Sequence, residues 1–162
     1  MRWQLLDAIT EIVPGERAAG RARTDFPDAL FADHFPSFPI APGVLLVEAS
    51  AHLGGYLIMA SVHAEQRRVV FPFLSIISEA KLRRFVPPHA TLDLRATLHS
   101  LRPESALCRV TVERDGQRCA TMQLIFVFDP AGDVPGGDRD RVRAFVDSEL
   151  DRLGSPWRPE RA

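Results

Sequence analysis

The sequence contains little cysteine and almost no net charge. Cys108 and Cys119 are its two cysteines, and because they form no CxxC pair they predict neither a metal knuckle nor a redox centre. Twenty basic and 21 acidic side chains among 162 residues leave a formal charge of -1, so no global field favours nucleic acid or an anionic membrane. We expect small buried cysteines and, as the partner, a small molecule or another protein.

The sequence also lacks an internal repeat, a low-complexity tract and a secretory apolar segment near its start. Asp7 and Glu11 interrupt the first apolar residues too early for a signal peptide, so a cytoplasmic chain is expected. The length suits one domain with an adequate core. A glycine- and proline-rich run predicts a linker at 130–137, between a main domain at 1–129 and a C-terminal helix with its tail at 138–162.

The most apolar part of the sequence follows Pro42. Proline sets a first helical turn, and residues 44–64 contain no further proline and are apolar nearly all round, which predicts a long helix enclosed by other structure. The apolar run 39–64 is also long enough to span a membrane. We favour the buried helix and no membrane insertion, because Glu48 and His52 would be costly in lipid.

Four strand-like runs follow this helix, at 69–82, 91–101, 106–114 and 118–128. In the second run, apolar and polar side chains alternate with the period of a sheet that has one wet face. Asp115-Gly116 predicts a hairpin turn between the last two runs. We expect an α+β fold in which an antiparallel meander curves around the helix. Nearer the start, residues 3–9 are predicted as a short helix and 16–24 as a strand.

Apolar residues return at helical spacing after the predicted linker, from Val142 to Leu153, with charged residues on the opposite face. Gly154 and Pro156 end this pattern. The sequence therefore predicts an amphipathic C-terminal helix that packs on the sheet, with a dedicated binding helix as the alternative.

Titratable side chains lie among apolar residues near the start of the central helix. His34 lies in a segment stiffened by prolines, and Glu48 lies on the first or second helical turn among aliphatic residues, where burial raises the pKa of a carboxyl group. Gly43 offers a backbone N–H at a helix N-terminus, which can receive a polarised carbonyl oxygen. Each residue also has a structural interpretation, as a packing histidine, a helix-dipole carboxylate or a turn glycine. Together they favour acid–base chemistry.

Residues 34–55 read HFPSFPIAPGVLLVEASAHLGG, which resembles the signature HFPGxPxxPGVLxxEAxAQ of the hot-dog-fold 3-hydroxyacyl-[acyl carrier protein] dehydratases. The histidine, two prolines, the glycine and the glutamate fall at the spacing of that family. The run LSIISEAKLRRFVPP at 74–88 resembles the family's strand before its third sheet segment, and the likeness covers roughly residues 5–128. It implies a hot-dog fold, a homodimer or higher even oligomer, and acyl carrier protein as the partner.

The resemblance also implies a role for each residue. His34 would remove the α-proton of a 3-hydroxyacyl thioester, Gly43 would donate to the thioester carbonyl, and Glu48 of the other subunit would protonate the leaving hydroxyl to give a trans-2-enoyl product. Neither a metal nor an organic cofactor is implied. The residues expected to line the substrate tunnel are Phe38, Val44, Tyr56, Phe71 and Phe73, and those expected to contact the carrier protein are Lys81, Arg83 and Arg84.

The sequence departs from the family pattern at several places. His52 replaces the glutamine that supports the carboxylate, one helical turn beyond Glu48 and on the same face, where it could orient or charge-tune that group. Phe38 stands where many members have histidine. Val44 stands where the isomerising branch has cysteine, so isomerisation is not expected. The C-terminal helix is additional, and the acyl length, the pathway and the choice between carrier protein and coenzyme A stay open.

Three other hypotheses remain at this point. The chain could be a hot-dog thioesterase, in which the carboxylate activates water at the thioester carbon. It could be a non-catalytic dehydratase-like subunit that binds acyl carriers. The third is a two-histidine, one-carboxylate metal site made of His34, Glu48 and His52, although their spacing is not diagnostic of such a site.

Overall fold

One long helix lies against a six-stranded antiparallel sheet in the computed structural model, which describes residues 4–134 and 136–159. The elements in chain order are strands β1 (Ala8–Val13) and β2 (Arg17–Arg23), helices α1 (Asp28–Asp33) and α2 (Gly43–Gln66), strands β3 (Phe73–Leu82), β4 (Thr91–Leu101), β5 (Ser105–Arg114) and β6 (Gln117–Val127), and helix α3 (Arg139–Arg152). The predicted α+β architecture is confirmed. The division of the chain at 130–137 stays a prediction.

The apolar run after Pro42 forms α2, as predicted. Leu53, Leu57 and Ile58 on this helix are fully buried. Gly54 brings the helix close to the sheet, because a Cβ there would lie 3.2 Å from the Phe126 ring of β6. By length and composition α2 could cross a membrane, but 67% of its most apolar window is buried inside the protein, as in the core helix of a soluble protein.

The sheet has the strand order β1-β2-β4-β5-β6-β3. The predicted meander is therefore correct for β4, β5 and β6 but wrong for β3, which pairs with β6 at the far edge. The connection between β3 and β4 explains the difference. Its residues bond to the chain around α1, with the Ala41 N–H donating to Val86 O (2.7 Å) and the Thr24 N–H donating to Ala90 O (3.0 Å), so it does not turn back as a hairpin.

The hairpin between β5 and β6 turns at Asp115 and Gly116, both with positive φ, as the sequence predicted. A register shift follows on β6, at Cys119, so this cysteine does not face a partner residue in the ladder. Cys108 pairs with Leu124, and both cysteines are free and buried, which confirms their expected role as small core side chains. Burial raises the pKa of the Cys108 thiol to about 12.

The first described residues differ from the prediction. The helix predicted at 3–9 is wrong for residues 4–9, because Asp7 N–H donates to Arg21 O (2.8 Å) and Ala8 begins β1; residue 3 lies outside the described residues. The strand predicted at 16–24 is confirmed as β2. Helix α1 was not predicted, although Asp28 in its first turn is a typical signal of a helix start.

The predicted C-terminal helix is confirmed as α3. The side chain of its N-cap Asp138 accepts hydrogen bonds from the Asp140 and Arg141 N–H groups. Val146 and Leu150 of this helix are buried in the common core. At its C-terminal end, Leu153 O accepts a hydrogen bond from the Ile9 N–H (3.0 Å). The helix therefore packs on the main body of the protein, next to the first strand.

Candidate active site

The His34 ring is held in a defined tautomer by the loop that leads into α2. Its Nδ1 lies 3.1 Å from Ile40 O, and because a carbonyl can only accept, Nδ1 carries the proton of the neutral ring. Nε2 is then the basic nitrogen. The ring also stacks on Phe35, with 4.4 Å between the ring centroids.

Backbone hydrogen bonds fix the loop around this histidine. Phe35 and Phe38 exchange two N–H to carbonyl bonds, of 3.2 and 3.0 Å, and the Ile40 N–H donates to His34 O (3.0 Å). The peptide bond between His34 and Phe35 is cis. A side chain held by such a closed network of backbone bonds keeps its position relative to α2, which is what acid–base chemistry requires.

Gly43 is the first residue of α2 and lies beside the same histidine. Helix geometry leaves its N–H without an acceptor in the helix, at the positive end of the helix dipole. A Cβ at this position would overlap the Leu82 side chain at the end of β3, so only glycine fits without displacing that leucine. His34 and Gly43 both line a cavity of about 360 Å³, here called the His34 cavity. Its other lining residues are Ile40, Ala41, Leu46, Leu82, Arg83, Arg84, Phe85 and Val86.

Glu48 and His52 form a hydrogen-bonded pair one turn apart on α2, with 3.1 Å between Glu48 Oε1 and His52 Nε2. The expectation that Glu48 is deeply buried is wrong: its side chain is 34% exposed and that of His52 is 30% exposed. Both line a second cavity of about 470 Å³, here called the Glu48 groove, which lies between α2, the start of β3 and α3. Its other lining residues are Ala51, Gly55, Tyr56, Met59, Phe71, Pro72, Phe73, Leu74, Phe126, Val134, Val142, Phe145, Val146 and Glu149.

The two cavities share no lining residue. Within one chain, His34 and Gly43 therefore open onto one space, while Glu48 and His52 open onto another. All four residues belong to one sequence motif, but the fold places them at two separate cavities. This separation also leaves the hypothetical metal site of His34, Glu48 and His52 without support, and residues 4–134 and 136–159 contain no group of three or more side chains suited to hold a metal.

Three of the five predicted tunnel residues line one of these two cavities, and the other two line neither. Tyr56, Phe71 and Phe73 line the Glu48 groove. Phe38 and Val44 line neither cavity: Phe38 packs edge-to-face on Phe85, with 5.5 Å between centroids, and Val44 is 72% exposed.

The residues predicted to contact a carrier protein lie at the end of β3 and just after it. Arg83 and Arg84 line the His34 cavity, and their N–H groups both donate to Cys119 O, which continues the pairing with β6. Lys81 lies outside that cavity and forms an ion pair with Glu79 at 2.6 Å. The two arginines, unlike the lysine, therefore lie at the cavity that contains His34.

Sequence reasoning missed Glu149, which α3 contributes to the Glu48 groove. Arg152 binds this carboxylate at 2.7 Å and holds its pKa below the usual range, with a smaller contribution from His52. Burial, reinforced by Glu149, raises the pKa of Tyr56 to about 12. A usable signal was present, because Glu149 lies seven residues after Val142 and so shares a helical face with the apolar stripe instead of the charged one.

The helix and the sheet around it define the protein as a hot-dog fold. Residues 1–123 match the FabA-like domain family, and the chain belongs to this family. The 3-hydroxyacyl-[acyl-carrier-protein] dehydratase FabZ of Ligilactobacillus salivarius is 32% identical over 123 residues, which are 76% of this chain and 86% of that relative. The dehydratase of the same name from Syntrophotalea carbinolica is 34% identical over 126 residues, 78% of this chain and 84% of that relative.

Solved structures share the fold at low sequence identity. A thioesterase from Haemophilus influenzae has a TM-score of 0.56 and 12% identity over 76% of this chain and 78% of its own. A hypothetical thioesterase with coenzyme A from Streptococcus pneumoniae has a TM-score of 0.58 and 7% identity over 74% of this chain and 83% of its own. At such identity the likeness concerns the fold alone and does not favour thioester hydrolysis.

Proposed function

We propose that the protein dehydrates a 3-hydroxyacyl thioester on acyl carrier protein to the trans-2-enoyl thioester. Membership of the FabA-like family and identity of about a third to dehydratases over most of the chain support this reaction. The observation that carries it is the hydrogen bond from His34 Nδ1 to Ile40 O, because it leaves Nε2 as a base in the cavity where Gly43 begins α2. The protein would act in the cytoplasm.

His34 is the proposed base and Gly43 the group that makes its task possible. The α-proton of a thioester becomes acidic when the carbonyl oxygen is polarised, and the Gly43 N–H at the helix N-terminus is suited to that oxygen. Nε2 of His34 then takes the proton in the same cavity. Each of these steps uses groups that the chain itself provides.

Glu48 is the proposed acid that protonates the departing hydroxyl, directly or through water. His52 Nε2 at 3.1 Å orients this carboxyl group and takes the position of the family glutamine. Glu48 opens onto a different cavity from His34, which supports a complete site built from half-sites of two chains. We therefore propose a homodimer, or a higher even oligomer, with His34 from one subunit and Glu48 from the other.

The edge strand β3 supports this assembly. It pairs with β6 on one side, and its other edge is the end of the sheet. Phe73, Ile76 and Ile77 on this strand are about half exposed, at 47%, 53% and 49%. An edge strand that exposes large apolar side chains is a template for pairing with another chain.

Arg83 and Arg84 are the proposed contacts for the phosphate of the carrier's prosthetic arm. They line the His34 cavity, so a phosphate bound by them would lie near the thioester that the arm delivers. Lys81 is already paired with Glu79 and adds less attraction for an acidic carrier protein.

The deciding experiment presents 3-hydroxyacyl groups of several lengths on acyl carrier protein and follows enoyl formation and free thiol together. Enoyl without free thiol is the expected result for the wild type, with loss of enoyl formation in His34→Ala and in Glu48→Gln. Free thiol without enoyl would identify a thioesterase. Binding of acyl carrier protein without either product would identify a non-catalytic subunit, and enoyl formation that survives in both variants would overturn the assignment of the site.

A further inference from the structure

Helix α3 forms one wall of the Glu48 groove, although it lies beyond residues 1–123, where the family match ends. Val142, Phe145, Val146 and Glu149 of this helix line the groove, which joins them to Glu48 on α2. The groove is therefore not completed by the part of the chain that matches the FabA-like family. An element outside that part supplies four of its lining residues.

The opposite wall is a stripe along α2 at helical spacing. After Glu48 and His52 it continues through Gly55 and Tyr56 to Met59. Glu48 and Met59 are eleven positions apart, which corresponds to about 16 Å along a helix axis. This is the length of an extended hydrocarbon chain of medium size, and Gly55 leaves the middle of the wall open, since a Cβ there would meet nothing within 4 Å.

The two helices run in opposite directions, which gives the groove a polar end and an apolar end. His52 contributes to lowering the pKa of Glu149, so these residues are neighbours at the end that contains Glu48. Arg139 and Arg143, at the start of α3, share another cavity with His63 near the end of α2. Val142 therefore lies at the far end of the groove, and the residues between it and Glu149 on this face are apolar.

Phe145 marks the open side of this groove. It belongs to the apolar face of α3, yet 64% of its surface is exposed, while Val146 beside it is buried. A large apolar side chain at the rim of an apolar groove gains from an apolar occupant that covers it. The proposed chemistry provides such an occupant, because the carbon that loses its hydroxyl must lie at Glu48 and the rest of the acyl chain must continue from there.

We propose that α3 is the acyl-chain specificity element of this protein: the hydrocarbon tail of the substrate lies in the Glu48 groove against Phe145 and Val146, and Val142 limits its length. This inference rests on the proposed dehydratase function, which names the acyl thioester as the occupant. It assigns to the C-terminal helix a binding role in addition to its packing on the core.

The test compares Val142→Trp with Ala144→Trp, which places the same side chain on an exposed position of α3 that does not line the groove. The readout is the ratio of kcat/KM for a 12-carbon 3-hydroxyacyl thioester to that for the 4-carbon one. Val142→Trp is expected to lower this ratio about tenfold or more, because the larger side chain blocks the end of the apolar groove. Ala144→Trp is expected to leave the ratio at the wild-type value. Equal ratios in the two variants would overturn the proposal.

A second variant keeps the proposal testable if Val142→Trp does not fold. Phe145→Ala removes an exposed side chain, so folding is not at risk, and it should raise KM for the 12-carbon substrate more than for the 4-carbon one. If the wild type turns over no acyl length, the dehydratase function itself fails. Calorimetry with dodecanoyl-pantetheine then tests the groove separately: binding that Val142→Trp weakens and Ala144→Trp retains supports it, and no binding to the wild type overturns it.

Discussion

His52 Nε2 lies 3.1 Å from Glu48 Oε1, one turn further along α2, and takes the place of a glutamine in the family signature. Both imidazole and amide groups can donate an N–H to a carboxylate, so the position keeps its ability to orient Glu48 although the residue has changed. What differs is that histidine can also gain a proton. Histidine at position 52 therefore provides a hydrogen-bond donor beside Glu48, as glutamine could, and also a group that can be protonated.

The role of His52 is tested by two substitutions. His52→Gln keeps an N–H donor and should retain kcat to within a few fold, whereas His52→Ala leaves Glu48 without this donor and should lower kcat about tenfold, with a smaller change in KM. Steady-state kinetics on one carrier-linked substrate measures both. Equal losses in the two variants would mean that the histidine contributes more than orientation.

A site shared between two subunits predicts that two inactive variants restore each other. In a mixed dimer of His34→Ala and Glu48→Gln chains, one site carries both substitutions and the other has the native His34 and Glu48. After complete subunit exchange, half of the dimers are mixed and each has one intact site, so activity should return to about a quarter of the wild-type value.

The control for this experiment is each variant mixed with itself under the same exchange conditions, which should stay inactive. Native mass spectrometry on chains of distinguishable mass verifies that exchange took place. No recovery in a sample with verified mixed dimers would place His34 and Glu48 of one chain in the same site.

The exposed edge of β3 predicts where the subunits meet. Ile76→Lys places a charge on this strand and should give a monomer in light-scattering measurements, with loss of activity, because a buried unpaired charge opposes edge pairing. Thr10→Lys is the matched control, since Thr10 is exposed on β1 at the opposite edge of the sheet. Thr10→Lys should leave the assembly unchanged. If Thr10→Lys gave a monomer and Ile76→Lys did not, the interface would lie at the β1 edge instead.

Much of the fold could be predicted because the spacing of apolar residues indicates which faces of a helix or strand are buried. The all-apolar run after Pro42 predicted α2, and alternation predicted β4 to β6 within one or two residues of their ends. The position of β3 could not be read in this way, since its partner depends on where residues 83–90 bond. Arg83 and Arg84 still bond to Cys119 O, whereas residues 86–90 bond to the chain on either side of α1, and all these bonds join residues that are far apart in the sequence.

The residues of the proposed site come from one local segment, but their surroundings could not be predicted. The spacing of His34, Gly43 and Glu48 is local to one segment and could be read directly. The aliphatic neighbours of Glu48 indicated a buried carboxylate, yet burial on a helix depends on which other element covers that face. Here the face opens onto a groove that is also lined by α3, about 90 residues later in the sequence, so local pattern could not reveal the exposure of Glu48.

The adjacent glycines of α2 predict opposite effects on stability. Replacing a glycine within a helix by alanine raises the free energy of unfolding by up to about 1 kcal/mol. At Gly55 nothing lies within 4 Å of the added Cβ, so Gly55→Ala should raise the free energy of unfolding by about that amount. At Gly54 the Cβ meets the Phe126 ring at 3.2 Å, and the overpacking cost of about 1–3 kcal/mol should outweigh the helical gain, so Gly54→Ala should destabilise.

Urea denaturation of the two alanine variants measures this difference under identical conditions. Each variant serves as the control for the other, since both make the same chemical change in the same helix. Equal stabilisation in both variants would show that the Phe126 ring moves to make room for the added Cβ. Gly54 would then not determine the distance between α2 and the sheet.

The ion pair of Glu149 with Arg152 predicts a pH-dependent contribution to stability. The hydrogen bond from Arg152 holds the pKa of Glu149 below its unfolded value, so the pair stabilises the fold fully above the unfolded pKa and loses this effect as the pH falls through the folded one. Glu149→Gln should therefore lower the free energy of unfolding by about 1 kcal/mol or less at neutral pH, and the gap to wild type should close in acid. Glu65→Gln changes an exposed carboxylate in the same way and should shift stability by less than about 0.5 kcal/mol. Denaturation curves across the acid range measure both variants, and a gap for Glu149→Gln that is independent of pH would assign its effect to packing in the groove instead of to charge.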